Sequence, residues 1–164
     1  FHGSMEDLKA IRSAVPHLPV LRKDFITTDY EVVESRAWRA DAVLLICAIL
    51  ERDCLARLLG LAHDLGMKAL VEVHDEADMD RAIAAGAGII GINNRNLSTL
   101  EVDINTTHRL RPLVPAGCLV VSESGIRGRE DMARVKGWGV NAVLVGEALV
   151  TAPDVPARMQ ELRL

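Results

Sequence analysis

Lys23, Glu72, the pair Asn93-Asn94 and Glu123 each stand where a short apolar run gives out. An amine and two carboxylates are the groups of general acid–base chemistry. A lysine set between two carboxylates would keep its proton and could serve as a general acid. Two later runs are followed by Ser124-Gly125-Ile126 and Gly146-Glu147-Ala148. Glycines at such places let the oxygens of an anion approach backbone N–H groups, so the two segments together suit a phosphate. Glu147 is an awkward neighbour for an anion unless its carboxylate points away. Taken singly, every one of these residues has a plainer reading. A lysine or glutamate at a strand end is commonly solvated or salt-bridged, Asn-Asn commonly makes a turn, and glycine turns the chain after a strand.

What would bring them together is a repeated unit. The apolar runs are Leu18-Pro-Val-Leu-Arg22, Asp41-Ala-Val-Leu-Leu-Ile46, Lys68-Ala-Leu-Val-Glu-Val73, Gly88-Ile-Ile-Gly-Ile92, Cys118-Leu-Val-Val-Ser122 and Asn141-Ala-Val-Leu-Val145. Short continuous runs rich in Val, Ile and Leu predict strands buried on both faces. Helical patterns separate them, at 5–14, 29–39, 52–65, 76–86, 104–113, 128–138 and 154–163. In the third, Leu55, Leu58, Leu59 and Ala62 form one apolar stripe. Thr28 with Glu31 predicts a capping box, Asp75 a helix start, and Gly86 a helix end.

Alternating strands and helices mean a parallel sheet within a single domain over residues 1–164. A doubly wound sheet accommodates six strands, whereas a (β/α)8 barrel needs eight strands and about 250 residues. Strand parity gives a sharper test. Lys23 shares a face with Leu21, Glu72 with Leu70, Asn93 with Gly91, and Glu123 with Val121. Each polar group thus tops an apolar or small layer, as a filled barrel with a polar mouth requires.

Composition excludes several classes. The 164 residues are 49% hydrophobic and 26% charged, with net charge −4, which argues against nucleic-acid or membrane-surface binding. No apolar run approaches the roughly 18 residues of a membrane span. Phe1-His-Gly-Ser4 lacks the basic and apolar segments of a signal peptide. Cys47, Cys54 and Cys118 cannot all pair and show no Cys-x-x-Cys spacing, so they read as reduced thiols of a cytoplasmic protein. His2, His17, His63, His74 and His108 are scattered, with no zinc spacing and no metal implied.

Val20-Leu-Arg-Lys-Asp-Phe-Ile26, Ala69-Leu-Val-Glu-Val-His74, Gly91-Ile-Asn-Asn-Arg-Asn-Leu97, Ser122-Glu-Ser-Gly-Ile126 and Val145-Gly-Glu-Ala-Leu149 resemble the signatures of the indole-3-glycerol-phosphate synthase family, in its order and spacing from residue 1 to 150. The resemblance implies a (β/α)8 barrel, here about six βα units of it. It also implies a carboxy-lyase of tryptophan biosynthesis that needs no cofactor and acts on a small phosphorylated substrate. Lys23 matches the family's proton donor, and Glu72 the carboxylate that stabilises positive charge and positions it. Asn93 and Glu123 match residues that hold the sugar hydroxyls and the reacting centre. Ser124, Gly125, Gly146 and Glu147 match the phosphate site. Phe25, Leu44 and Leu97 would line the pocket for the anthranilate ring, and Arg95 would support the same loop. Phosphoribosylanthranilate isomerase, another phosphate-sugar barrel, fits poorly, because the Lys-Asp-Phe and Gly-Ile-Asn-Asn-Arg motifs together are not its pattern.

The resemblance also implies a departure. Members begin with a helix and two further βα units, with a Glu-x-Lys pair and Ser-Pro-Ser, and nothing here matches those pieces. At roughly 25 residues per unit, about 50 residues or more of barrel would be absent. On this reading the chain alone is inactive, a non-catalytic piece of the enzyme. Its strands at 18–22 and 141–145 would be open edges that associate with another chain or with the first two units.

Overall fold

A computed structural model describes residues 3–163; Phe1, His2 and Leu164 lie outside the described residues, and with them the opening of the Phe1–Ser4 segment. The chain runs α1 (Met5–Ala14), β1 (Leu21–Arg22), α2 (Asp29–Ala37), β2 (Ala42–Ile46), α3 (Arg52–Asp64), β3 (Lys68–Val73), α4 (Glu76–Ala84), β4 (Ile89–Asn93), α5 (Asn105–Leu110), β5 (Leu119–Glu123), α6 (Arg129–Gly137), β6 (Ala142–Leu144), α7 (Glu147–Val150) and α8 (Val155–Glu161). Short 3-10 turns follow β2 and α5 at Cys47–Ile49 and Arg111–Leu113.

Every strand but β3 starts later than its apolar run suggests, β2 and β6 for one repeated reason. The carboxylate of Asp41 accepts the N–H of Val20 at 2.7 Å, and the Asn141 side-chain oxygen accepts that of Val120 at 2.8 Å. Both residues therefore clamp the preceding strand instead of joining their own. β1 is shortened further at its start, where Pro19 has no N–H to give a ladder.

The helices end in one repeated way as well. Ala40, Met67, Ala87 and Val140 each donate to a carbonyl five residues back, those of Ser35, Ala62, Ala82 and Val135. The residue before each donor has positive φ: Arg39, Gly66, Gly86 and Gly139. These are Schellman ends, and the Gly86 expectation holds. The Thr28–Glu31 capping box and the Asp75 cap are present as expected.

All six strands are parallel and lie in the order β1-β2-β3-β4-β5-β6. A doubly wound sheet reverses strand order at a switch point, and this sheet does not. It is an arc of barrel-type sheet with β1 and β6 as its outer strands. The helix-facing side carries the large core, including Val32, Leu55, Leu58, Met67, Val71, Met79, Ile90, Ile92 and Leu110. The opposite face holds a separate cluster of Leu44, Ile46 and Leu70, with Leu21, Ile89, Val121 and Leu144 against it. The parity argument thus holds: Leu21, Leu70 and Val121 form an apolar floor, and the polar residues lie beyond it toward the strand ends. Among the described residues, no helix is long and apolar enough to cross a membrane.

Candidate active site

The ends of β1, β3 and β5 bring one amine and two carboxylates together. Lys23 Nζ lies 3.5 Å from Glu72 Oε2 and 3.6 Å from Glu123 Oε2. The glutamate side chains are 1% exposed, while that of Lys23 is 39% exposed. The ammonium therefore reaches solvent, and the two carboxyl groups hold it from below.

The two glutamates are not equivalent. Burial raises the Glu72 pKa, but contacts from His74 and Asn93 and the charge of Lys23 outweigh it and bring it down to about 2. Glu123 is pushed up to about 8, by burial first and then by the charge of Glu72, with Lys23 opposing. Neither oxygen of Glu123 has a hydrogen-bond partner among the described residues. The ion-pair distance to Lys23 alone would suggest an ionised Glu123. We favour the neutral form below about pH 8, because the group is dry, unsolvated by donors and beside an anion.

Gly91 makes this crowding possible. In register, Glu72 lies beside Gly91, and Glu123 beside Asn93. The Glu123 side chain folds back over Gly91 to reach Glu72 and Lys23. A Cβ at Gly91 would overlap Glu123 Oε1 and come within 3.1 Å of Leu70 Cδ1. A glycine inside a strand often marks such an approach. Gly91→Ala should displace the Glu123 carboxyl and cost about 1–3 kcal/mol. Thermal unfolding measures it, and an unchanged Tm would refute the close approach.

Asn93 links the charged trio to the Ser124-Gly125 turn. Its amide donates to Glu72 Oε1 at 3.1 Å, and its oxygen accepts the Ser124 hydroxyl at 2.8 Å and the Arg95 N–H at 3.0 Å. Asn94 points the other way, into a buried network with Ser122, Thr107 and the carbonyl of Ser124. That network holds Ser124 in the left-handed conformation, at φ 64, followed by Gly125 at φ 78. The N–H groups of Gly125 and Gly146 make no backbone hydrogen bond among the described residues. Gly125 lines a cavity of about 380 Å³, which Arg95, Val102, Arg127, Glu147 and Arg158 also border, and Gly146 immediately precedes Glu147 as the cap of α7. The Glu147 carboxylate meets Arg95 Nη2 at 2.9 Å, which balances its charge at this rim. A second cavity, of about 530 Å³ between Lys9, Arg12, Trp38 and Arg39, is on the outer helical layer and includes none of these residues.

The expected apolar pocket is not assembled among the described residues. Phe25 is 63% and Leu97 38% exposed, each on a loop after its strand. Leu44 lies level with Leu70 in the floor, whereas Ile46, two residues on, is level with Glu72. Sequence reasoning passed over Ile46. It also passed over His74, which lies 3.2 Å from Glu72 Oε1 and 3.2 Å from Asp78 Oδ2. The available signal was the spacing Glu72-x-His74, which places both residues on one side of the strand.

A family model described as indole-3-glycerol phosphate synthase matches residues 1–162. Proteins of that name from Dehalococcoides mccartyi and Roseiflexus sp. are 52% and 53% identical to this chain, each over 99% of it. One from Parafrankia sp. is 56% identical over 94%. The chain spans 63% of the length of the first two and 57% of the third. Among solved structures, 3-hexulose-6-phosphate synthase from Salmonella typhimurium aligns with a TM-score of 0.84 at 19% identity, covering 96% of this chain and 77% of that one. Thiamine phosphate pyrophosphorylase from Pyrococcus furiosus aligns at 0.73 and 18% identity, covering 98% and 76%. At such identities these structures speak for the fold alone.

Proposed function

The chain belongs to the indole-3-glycerol phosphate synthase family, and from that premise we propose that it carries the acid–base and phosphate-binding parts of an indole-3-glycerol-phosphate synthase within an eight-stranded barrel. The substrate is 1-(2-carboxyphenylamino)-1-deoxyribulose 5-phosphate. The observation that carries the proposal is the Lys23 ammonium held 3.5 and 3.6 Å from two buried carboxyl groups.

Lys23 gives its proton to the ketose oxygen as the aromatic carbon attacks the ketose carbon, so the oxygen becomes a hydroxyl. The anion of Glu72 faces the positive charge that this attack builds on the ring and nitrogen. Loss of the ring carboxylate as carbon dioxide restores the electron pair to the ring. The new hydroxyl then leaves with a proton as water while the neighbouring methylene carbon gives up a proton, which forms the indole double bond, and Lys23 regains its proton from solvent. Asn93 and a neutral Glu123 offer hydrogen bonds to the sugar hydroxyls. Nothing in these steps needs more than positioning and preset charge. Phe25 and Leu97 close on the anthranilate ring from their loops, with Ile46 and Leu44 beneath, and Arg95 supports that side. The three unpaired thiols suit a cytoplasmic setting.

The phosphate sits at Ser124-Gly125 and Gly146-Glu147. A side chain at Gly146 would project into open space, since no atom lies within 4 Å of its Cβ position. Gly146→Val should therefore leave the fold intact and weaken inorganic phosphate binding about tenfold or more by occupying the anion's place. Calorimetric titration of the chain with phosphate measures this; equal affinity for both proteins would exclude the site. The wider proposal is tested by joining the chain to the first two βα units of a relative and following indole-glycerol-phosphate formation by fluorescence. Turnover that needs this chain's Lys23 supports it, and no turnover from a folded hybrid overturns it.

A further inference from the structure

Behind Glu72 stands a second charged layer that the proposed chemistry does not use. His74 Nε2 lies 3.2 Å from Glu72 Oε1, and its Nδ1 lies 3.2 Å from Asp78 Oδ2. Asp78 is fixed in turn. It accepts the backbone N–H of His74 at 3.0 Å, pairs with the Arg81 guanidinium, and gives its own N–H to the Asp75 cap at 2.8 Å. The His74 side chain is largely buried, so water does not relieve this arrangement. A neutral imidazole has one N–H and would turn a lone pair against one of the two carboxylates. Nδ1 is in hydrogen-bond contact with Asp78, while Nε2 faces Glu72 at ion-pair distance without hydrogen-bond alignment, so only the imidazolium presents positive charge to both.

We propose that His74 is a positioning residue whose imidazolium, clamped between Glu72 and Asp78, keeps the negative charge of the Glu72–Glu123 pair on Glu72 and the pair's proton on Glu123. The geometry is lopsided in the required way, because His74 contacts Glu72 and not Glu123. The other charged or titratable neighbours do not undo it. Lys23 lies nearly equidistant from the two carboxyls and so does not choose between them. Cys47, just beyond β2, feels Asp78, Arg81, Glu72 and Asp75, but burial pushes its thiol up to about 12 and it stays neutral. Burial alone would lower the His74 pKa; contacts with Asp78 and Glu72 reverse this and raise it to about 9. The catalytic consequence rests on the function proposed above: Glu72 is an anion for the developing positive charge, and Glu123 a hydrogen-bond donor for hydroxyls.

The test reads protons directly and without substrate. The chain is labelled with carboxyl-13C glutamate, and Glu72 and Glu123 are assigned through their Gln variants. Near pH 6, about half a unit below the ordinary histidine pKa, Glu72 should give a carboxylate shift and Glu123 a carboxylic acid shift. Titrated downward in pH, the Glu72 carboxyl of His74→Gln should take up its proton about one pH unit or more above where the parent's does, a proton affinity raised about tenfold or more. Asp78→Asn keeps the imidazole but removes its second anchor, and should move Glu72 the same way by a smaller amount. A folded His74→Gln whose Glu72 titrates at the same pH as the parent's overturns the proposal. Should that variant fail to fold, an unmoved Glu72 titration in Asp78→Asn does the same. Since no turnover is measured, a failure here is distinct from a failure of the enzymatic reading.

Discussion

Lys23→Ala should cost about 10²–10⁴-fold in turnover, the usual contribution of a positioned acid, while the fold survives. The side chain is the most exposed member of its cluster and belongs to neither apolar core. Its loss removes two ion pairs at the mouth and no packing. Near neutral pH the stability cost should stay near 1 kcal/mol, because Glu123 already carries a proton and no second buried anion appears. Lys23→Arg sharpens the prediction. Arginine preserves the positive charge between Glu72 and Glu123 but cannot release its proton at working pH, so it too should be nearly inactive. The assay is indole-glycerol-phosphate formation by the hybrid barrel, alongside the melting temperature of each variant. Near-normal turnover by either variant would remove Lys23 from the acid's role.

For Glu123→Gln the expected signs are opposite for activity and stability. The folded pKa of Glu123, about 8, lies above its ordinary value of 4.5. The native state therefore holds a proton that the unfolded state has lost, and stability falls as pH rises from the ordinary value through the folded one. At low pH both forms are protonated and the group costs nothing. Above about pH 8 the full penalty applies. Glutamine mimics the protonated acid and never ionises. The variant should match the parent below about pH 4.5, gain on it progressively above that, and be more stable by about 2–4 kcal/mol above pH 8, a rise in Tm of roughly 5–10 °C. Turnover should nonetheless fall about tenfold, because the amide N–H is a weaker and differently placed donor to the sugar hydroxyls than the acid O–H. Melting curves across pH test the first half; a variant no more stable than the parent in alkali would mean that Glu123 is not a destabilised buried acid.

The sequence by itself determined the units and the sides of the strands. Strand faces alternate with period two, so writing down Leu21-Arg-Lys23 or Leu70-Val-Glu72 already assigns each polar group to the face of its apolar partner. Caps are equally local: Thr28 with Glu31, Asp75 and Gly86 act within one turn of chain, and each sits where its residue type predicts. The motifs carried the family for the same reason, being contiguous stretches.

What spans distant segments was decided only in three dimensions. Six strands were compatible with an open sheet until their order in space showed no reversal. The register between neighbouring strands depends on packing across the whole sheet, and it puts Ile46, not Leu44, beside Glu72. It also lays Glu123 over the one strand position without a Cβ, Gly91. The proton inventory is non-local as well. Glu72 and Glu123 are the same residue type at similar strand ends, yet one is driven down and the other up. The difference comes from which of them His74 and Asn93 reach, and buried charge is governed by such neighbours and by loss of water, neither of which any short stretch of sequence contains.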